Sequence, residues 1–320
     1  MTNKIPQFLI EGSVQQTIEE RVKMTISCND CENIPKVEGA GNITKDNFQI
    51  MHNGVKVVNG GYHGNWMSEI IEKLKGHHEP QEEFIFNELL KLLPDNATMI
   101  ELGCFWSYYS IWFNRSIKGA KNICVEPDPN NLNLGRKNAE INNSSNITFE
   151  LGAAGDKHGD TVSIPLESKP GTSIDVQVKS IDGLMKYHNI DFLDILHADT
   201  QGAEYELLLG AKNAMFQKKL RFVVISTHHY SISGVPNIHQ DCIDLILSLG
   251  GAIICSHTVA ESFSGDGLIV ASFSDCDKNL VFETSLNHTH KSLFRPPEKD
   301  IELLIKKFHM REHGEKESLF

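Results

Sequence analysis

Ala97-Thr98-Met99-Ile100-Glu101-Leu102-Gly103-Cys104-Phe105-Trp106-Ser107-Tyr108 is an apolar run that ends in an acid and a glycine and leads into an aromatic-rich segment suited to a helix. A strand that turns sharply at a glycine into a helix brings free backbone N–H groups, and room for a ligand, to one point. The plainer alternative is a strand–turn–helix unit in which Gly103 only makes the turn.

Outward from this stretch, apolar runs recur at Ala97–Leu102, Asn122–Glu126, Ile147–Leu151, Phe192–Asp199, Phe222–Thr227, Ala252–Ser256 and Leu268–Ser272. Polar or amphipathic stretches separate them. Strands alternating with helices predict an α/β fold with a mostly parallel, seven-stranded sheet covered by helices on both faces. Pro80 suits a first helical turn, after which Ile85, Leu89, Leu92 and Leu93 share one face. Ile238, Cys242, Leu245, Ile246 and Leu249 repeat the spacing before Gly250-Gly251, and Ile301, Leu304, Ile305 and Phe308 do so near the end. Before about Gly76 the turn-rich patches Asn53-Gly54 and Asn59-Gly60-Gly61 predict an irregular cap. The expected division is residues 1–79 as cap, 80–275 as the main domain and 276–320 as a helical extension and tail.

The totals restrict the partners. A net charge of −12 argues against a nucleic-acid-tracking surface. No stretch approaches the roughly 20 apolar residues of a membrane helix, and Met1–Pro6 lacks a signal-peptide pattern, so the expectation is a cytoplasmic protein without membrane contact. The 7 cysteines imply no disulfide framework. Cys28 and Cys31 form a C-x-x-C pair, but a structural zinc site wants a second ligand pair of matching spacing, and none follows. Nothing excludes a homo-oligomer.

Glu126, in Val125-Glu126-Pro127-Asp128-Pro129, ends the second strand, where an acid can accept hydrogen bonds from both ribose hydroxyls of an adenosine. Its spacing fits NAD or S-adenosylmethionine (SAM). The pyrophosphate of NAD needs G-x-G-x-x-G, whereas this loop has one glycine followed by bulky Phe105 and Trp106, which favours SAM.

Glu101–Tyr108, Val125–Pro129 and Asp194-Ile195-Leu196-His197-Ala198-Asp199-Thr200-Gln201-Gly202-Ala203-Glu204 together resemble the successive motifs of the FkbM-type methyltransferases. The resemblance spans about Ala97 to Phe222. It implies a Rossmann-like class I methyltransferase fold, SAM as methyl donor, and a hydroxyl of a small acceptor, a sugar or glycan or natural-product intermediate, as the methylated group. Ser107 stands where the family usually has another glycine, and His197 replaces a common lysine. The cofactor-binding candidates are Glu101, Gly103, Phe105, Trp106, Ser107, Tyr108, Glu126, Pro127, Ala153, Asp199 and Gln201.

Methyl transfer to a hydroxyl is an in-line displacement that needs an aligned acceptor and a base. Strand four ends in Asp199 and strand five in His228-His229-Tyr230, which puts a carboxylate and imidazoles at one rim. Asp199, His228 and His229 are the catalytic candidates, or alternatively ligands of magnesium or another divalent metal, with His239 as a further ligand. His77, His78, Glu79, Gln201 and Tyr230 are the candidates for the acceptor pocket, although Glu79, Gln81 and Glu82 equally suit a helix's first turn. The loop Glu261–Gly267 is placed to close over the acceptor, or to make a hairpin. Two further readings stand beside a methyltransferase: an NAD-linked oxidoreductase, and a SAM-binding module without catalysis.

Overall fold

A computed structural model of the chain describes residues 18–287. The helical repeat at Ile301–Phe308 and the segment Met1–Pro6 lie outside them. The chain runs through α1 (Ile18–Thr25), β1 (Phe48–Ile50), β2 (Lys56–Val58), α2 (Asn65–Lys73), α3 (Pro80–Leu90), β3 (Thr98–Leu102), α4 (Tyr108–Ser116), β4 (Lys121–Glu126), α5 (Pro129–Ile141) and β5 (Ile147–Leu151). Next come β6 (Ala153–Ala154), β7 (Thr161–Pro165), β8 (Ser173–Lys179), α6 (Ile181–Tyr187), β9 (Leu193–Asp199), α7 (Glu204–Leu209) and α8 (Lys212–Phe216). Last are β10 (Leu220–Thr227), α9 (Tyr230–Ser233), α10 (Ile238–Ser248), β11 (Ala252–His257) and β12 (Gly267–Ser272).

The predicted seven-stranded sheet forms, in the order β11-β12-β10-β9-β3-β4-β5, parallel throughout except for β12, which is antiparallel to both of its neighbours. Strands buried on both faces need apolar residues at successive positions. Leu268–Ala271 meets that need, with every residue apolar and buried. Side chains then alternate between two cores: Met99, Ile195, Phe222 and Val224 face a cluster with Phe86, Trp112 and Phe113, while Ile100, Leu102, Leu196 and Val223 face one with α6, α7 and α10.

Two parts depart from expectation. The segment before α3 keeps the expected turns but adds a helix, a hairpin and a second helix. Val22, Met51, Val57, Met67 and Ile70 are buried in the same cluster as Phe86 and Trp112; its strands, three residues each, are too short for a visible alternation. A second small sheet, in the order β6-β8-β7, follows β5. It was not foreseen because its strands are mostly solvated, with burial only at alternate positions. α3 also stops at Leu90, which leaves Leu92 38 % exposed instead of on the predicted face.

β3 has β4 on one side and β9 on the other, so the chain order reverses there and a crevice opens beyond the C-terminal ends of β3 and β9. Leu102 is in register with Ala198, which sets Gly103 beside Asp199. Gly103 holds a left-handed φ of 75°, and a Cβ on it would lie 1.7 Å from the Asp199 carbonyl oxygen. Its freedom is needed for this contact between strand ends. Gly103→Ala should therefore destabilise the fold by about 2–4 kcal/mol, combining left-handed strain with overpacking. Urea denaturation checks this; a loss below about 0.5 kcal/mol, the level of an ordinary surface change, contradicts the tight contact.

Candidate active site

The crevice is a cavity of about 1160 Å³ walled by the ends of β3, β4 and β9, the small sheet, and the loop ahead of α2. Small-molecule sites usually run to about 300–1,000 Å³, so this one is large enough for a cofactor and an acceptor together. Glu126 lies at the end of β4, buried, with one carboxylate oxygen accepting from the Phe105 N–H at 3.1 Å and the other from the Asp128 N–H at 3.0 Å. Burial pushes its carboxyl up to about 7, against the pull of those two bonds. Burial likewise raises Glu101 to about 7, although His197 draws it down.

Polar side chains at the strand ends share one face of the sheet. Glu101 pairs in register with His197. The His197 Nε2 sits 2.8 Å from Glu82 of α3, whose other oxygen accepts from the Ser226 hydroxyl. Burial opposes charge on His197, but Glu82 raises its pKa. Glu79 accepts from the Tyr109 hydroxyl at 3.0 Å and lies 3.1 Å from the His78 Nε2. Burial opposes a charge on His78 too, yet Glu79 and Glu83 push its pKa up to about 10.

At the end of β9, Asp199 lies 3.1 Å from the His228 Nε2, with Asp266 at 3.5 Å from the same nitrogen and Glu204 at 2.8 Å from the Nδ1. Burial disfavours the imidazolium, but Asp266, Asp199 and Glu204 outweigh it and hold His228 charged. Burial would raise Asp199, yet His228 lowers it, so Asp199 is ionised. The Glu204 carboxylate also accepts from the Gly202 N–H at 2.8 Å, which fixes the turn after β9.

Most of the residues singled out in the sequence come together here. Glu101, Gly103, Phe105, Trp106, Glu126, Pro127, Ala153, Asp199 and Gln201 line the cavity, as do His78 and Glu79. Ser107 and Tyr108 do not line it. Tyr108 is buried among aromatic rings, with Trp106 at 5.3 Å and Trp112 at 5.7 Å. Ser107 takes a left-handed φ of 59° and packs where a Cβ on Gly135 would meet its hydroxyl at 2.3 Å. His77 is buried against Glu83, and Tyr230 is buried beside the His229 ring.

His228 stands behind Asp199, off the cavity wall, already charged, and so is in the wrong state to accept a proton. His229 caps α9, its Nδ1 accepting from the Ser231 N–H. Asp199, His228 and His229 do not meet as a ligand set for a metal ion among the described residues, and the His239 Nδ1 bonds the Thr227 hydroxyl at 2.7 Å. Tyr62 and His63, also in the cavity wall, were not foreseen. They follow a Gly-Gly turn with no periodicity to mark them, and only the folding of the N-terminal segment over the crevice brings them in.

An α/β sheet with an acid at the end of its second strand and a glycine turn at its switch point is the frame of a nucleotide-cofactor site, and the family match makes it that of a SAM-dependent methyltransferase. The FkbM methyltransferase domain matches residues 77–251; this covers more than half of the chain, which belongs to that family. Three solved structures illustrate the likeness. The precorrin-6y C5,15-methyltransferase of Geobacter metallireducens is 12% identical over 59% of this chain and 86% of that one, with a TM-score of 0.37. M. capricolum TrmK in complex with S-adenosyl-homocysteine is 15% identical over 62% and 75%, at 0.38. The Methanococcus jannaschii fibrillarin pre-rRNA processing protein is 15% identical over 56% and 67%, at 0.39. No curated protein matches the sequence. No helix of the described residues is long and apolar enough to cross a membrane.

The residues present fit SAM, because both Glu126 oxygens are steadied from the protein side by backbone N–H groups while the residue borders the cavity. Ribose hydroxyls donate to a carboxylate and favour its charged form. A folded pKa of about 7 means that the cofactor-free protein holds a proton that binding must expel below that pH. S-adenosylhomocysteine affinity should therefore rise with pH through about 7, by up to about tenfold per unit below it. Glu126→Gln should bind at least about tenfold more weakly, with a smaller slope. Calorimetric titration between about pH 6 and 8 checks both, and unchanged affinity in the variant removes Glu126 from the site.

Proposed function

We propose that the chain transfers the SAM methyl group to a hydroxyl of a small, uncharged acceptor, best matched by a sugar or a sugar-bearing intermediate. The observation that carries this reading is the mixture of groups in the cavity wall beyond Glu126: ionised Asp199, Glu79, the Tyr62 and Tyr109 side chains, and His63. Burial lowers the His63 pKa below its ordinary 6.5, so this imidazole is neutral at neutral pH. A neutral imidazole accepts a proton that the imidazolium of His228 cannot.

SAM, when bound, supplies a methyl group on a sulfonium that is open to attack by oxygen. The chain's residues do the rest. Glu126 grips the ribose, and Gly103 and Asp199 border the methionine side of the crevice. Asp199 accepts a hydrogen bond from a neighbouring hydroxyl of the acceptor and so keeps the reacting oxygen in line, with His228 and Glu204 holding the carboxylate in place. His63 takes the hydroxyl proton as the carbon–oxygen bond forms. In this reading His228 positions Asp199, and no step runs through a divalent metal. The chain divides at about residues 79 and 275, with the first part closing the acceptor side. Unpaired thiols at all 7 cysteines suit a reducing, cytoplasmic setting.

Charge narrows the acceptor. Glu79, Glu126, Asp128, Glu167 and Asp199 line the cavity, against Lys157 as a lysine. His78, His197 and His228 are each spoken for by their own carboxylates. A phosphate-bearing acceptor would meet like charge on entry. Neutral glycosides should therefore turn over with kcat/KM at least about tenfold above their phosphorylated or nucleotide-linked counterparts; the reverse order contradicts the reading.

His63→Gln should lower kcat roughly 10²–10⁴-fold with little change in KM. At saturating SAM the wild-type kcat should be flat above pH 6.5 and fall only below it, because the His63 pKa is shifted downward from that value. Full activity in the variant assigns the base elsewhere.

A further inference from the structure

Cys31 lies on the turns that follow α1, and His77 and Glu83 flank the first turn of α3. All three are buried, and none borders the cavity. The Cys31 sulfur, one imidazole nitrogen of His77 and one carboxylate oxygen of Glu83 lie within 4.8 Å of one another. No other set of three such ligands meets among the described residues. The C-x-x-C pair, which lacks a matching second pair in the sequence, thus finds a histidine and a carboxylate through the fold.

The partners of these groups point to a cation. The His77 Nδ1 faces Glu83, while its Nε2 is buried without a hydrogen-bond partner. Buried imidazole nitrogens are seldom left so. The Cys31 thiol has only the Pro80 carbonyl, at 3.0 Å, as its hydrogen-bond acceptor. His52 stacks on His77 with ring centroids 4.1 Å apart, and its Nε2 is also without a partner.

We propose that Cys31, His77 and Glu83 hold a zinc ion that ties the N-terminal segment to the start of α3. Sulfur, imidazole and carboxylate donors together suit zinc, whereas magnesium and calcium take oxygen. Bonds of about 2.0–2.3 Å to a tetrahedral ion set donors roughly 3.3–3.8 Å apart, so the hydrogen-bonded His77–Glu83 pair opens to admit the ion. Cys31 gives its proton to solvent as the sulfur–zinc bond forms. Cys28, also buried, lies outside the set of donors that meet. Glu83 also holds His78, which carries Glu79 on the cavity wall, so the ion would brace that wall from behind.

The test uses the purified full chain, stripped with a chelator and dialysed free of it, then titrated with cobalt(II) and zinc(II) chloride. About one equivalent of cobalt should bind with a sulfur-to-cobalt charge-transfer band that zinc abolishes. Cys31→Ser should lose the band and bind zinc at least about tenfold more weakly, while Cys242→Ser on α10 keeps both. His77→Gln, which retains the sulfur, should weaken zinc by the same factor, so the proposal does not hang on Cys31→Ser folding; circular dichroism of each variant reports its fold. No charge-transfer band in the wild type, or wild-type zinc affinity in either variant, overturns the site. These readouts need no methyl transfer, so they stand or fall apart from the proposed activity.

Discussion

The carbonyl oxygen of Asp199 occupies the place where a side chain on Gly103 would be. That contact lets the ends of β3 and β9 meet at the point where the strand order reverses, and the crevice is built on it. Beyond Gly103 the chain turns into α4, and the Phe105 N–H reaches back to Glu126 at the end of β4. Beyond Asp199 the turn is held by Glu204, which accepts from the Gly202 N–H. Three strand ends are thereby locked together through backbone contacts, before any ligand is considered.

Charge is distributed in the crevice with some economy. Unpaired buried ions are costly, and removing one partner of a buried pair typically costs about 3–5 kcal/mol. Around the crevice three buried imidazoles have carboxylates of their own: His197 with Glu82, His78 with Glu79 and Glu83, and His228 with Asp199 and Glu204. Glu101 and Glu126 lack a cation of their own within hydrogen-bond reach, and their carboxyls drift up to about 7. In the proposed reading, the resting site keeps ionised Asp199 at the acceptor end and the protonatable Glu101 and Glu126 at the cofactor end.

What the sequence disclosed follows from what periodicity and strand ends record. Strands buried on both faces leave unbroken apolar runs, so all seven were legible from Ala97 to Ser272. Glu126 and Gly103 were legible because they sit at the junctions between a run and a turn. Tyr108 was misplaced because it is itself the first residue of the helix, whose first turn points the ring into the core. His228 looked like a free base because its chain neighbours carry no acid; Asp266, Glu204 and Asp199 reach it from three separate segments. His63 and Tyr62 left no mark, since they enter the wall only through the packing of Met67, Ile70 and Ile71 against the sheet's aromatic cluster. The small sheet of β6, β7 and β8 was hidden by its solvated strands.

The central claim is that one crevice, between the Gly103–Asp199 junction and Glu126, receives the methyl donor. A crystal structure of the chain grown with S-adenosylhomocysteine tests it most directly. The account requires both ribose hydroxyls on the Glu126 carboxylate and the thioether sulfur beside Gly103 and Asp199. Nucleoside density in any other pocket, or a ribose facing away from Glu126, would contradict it.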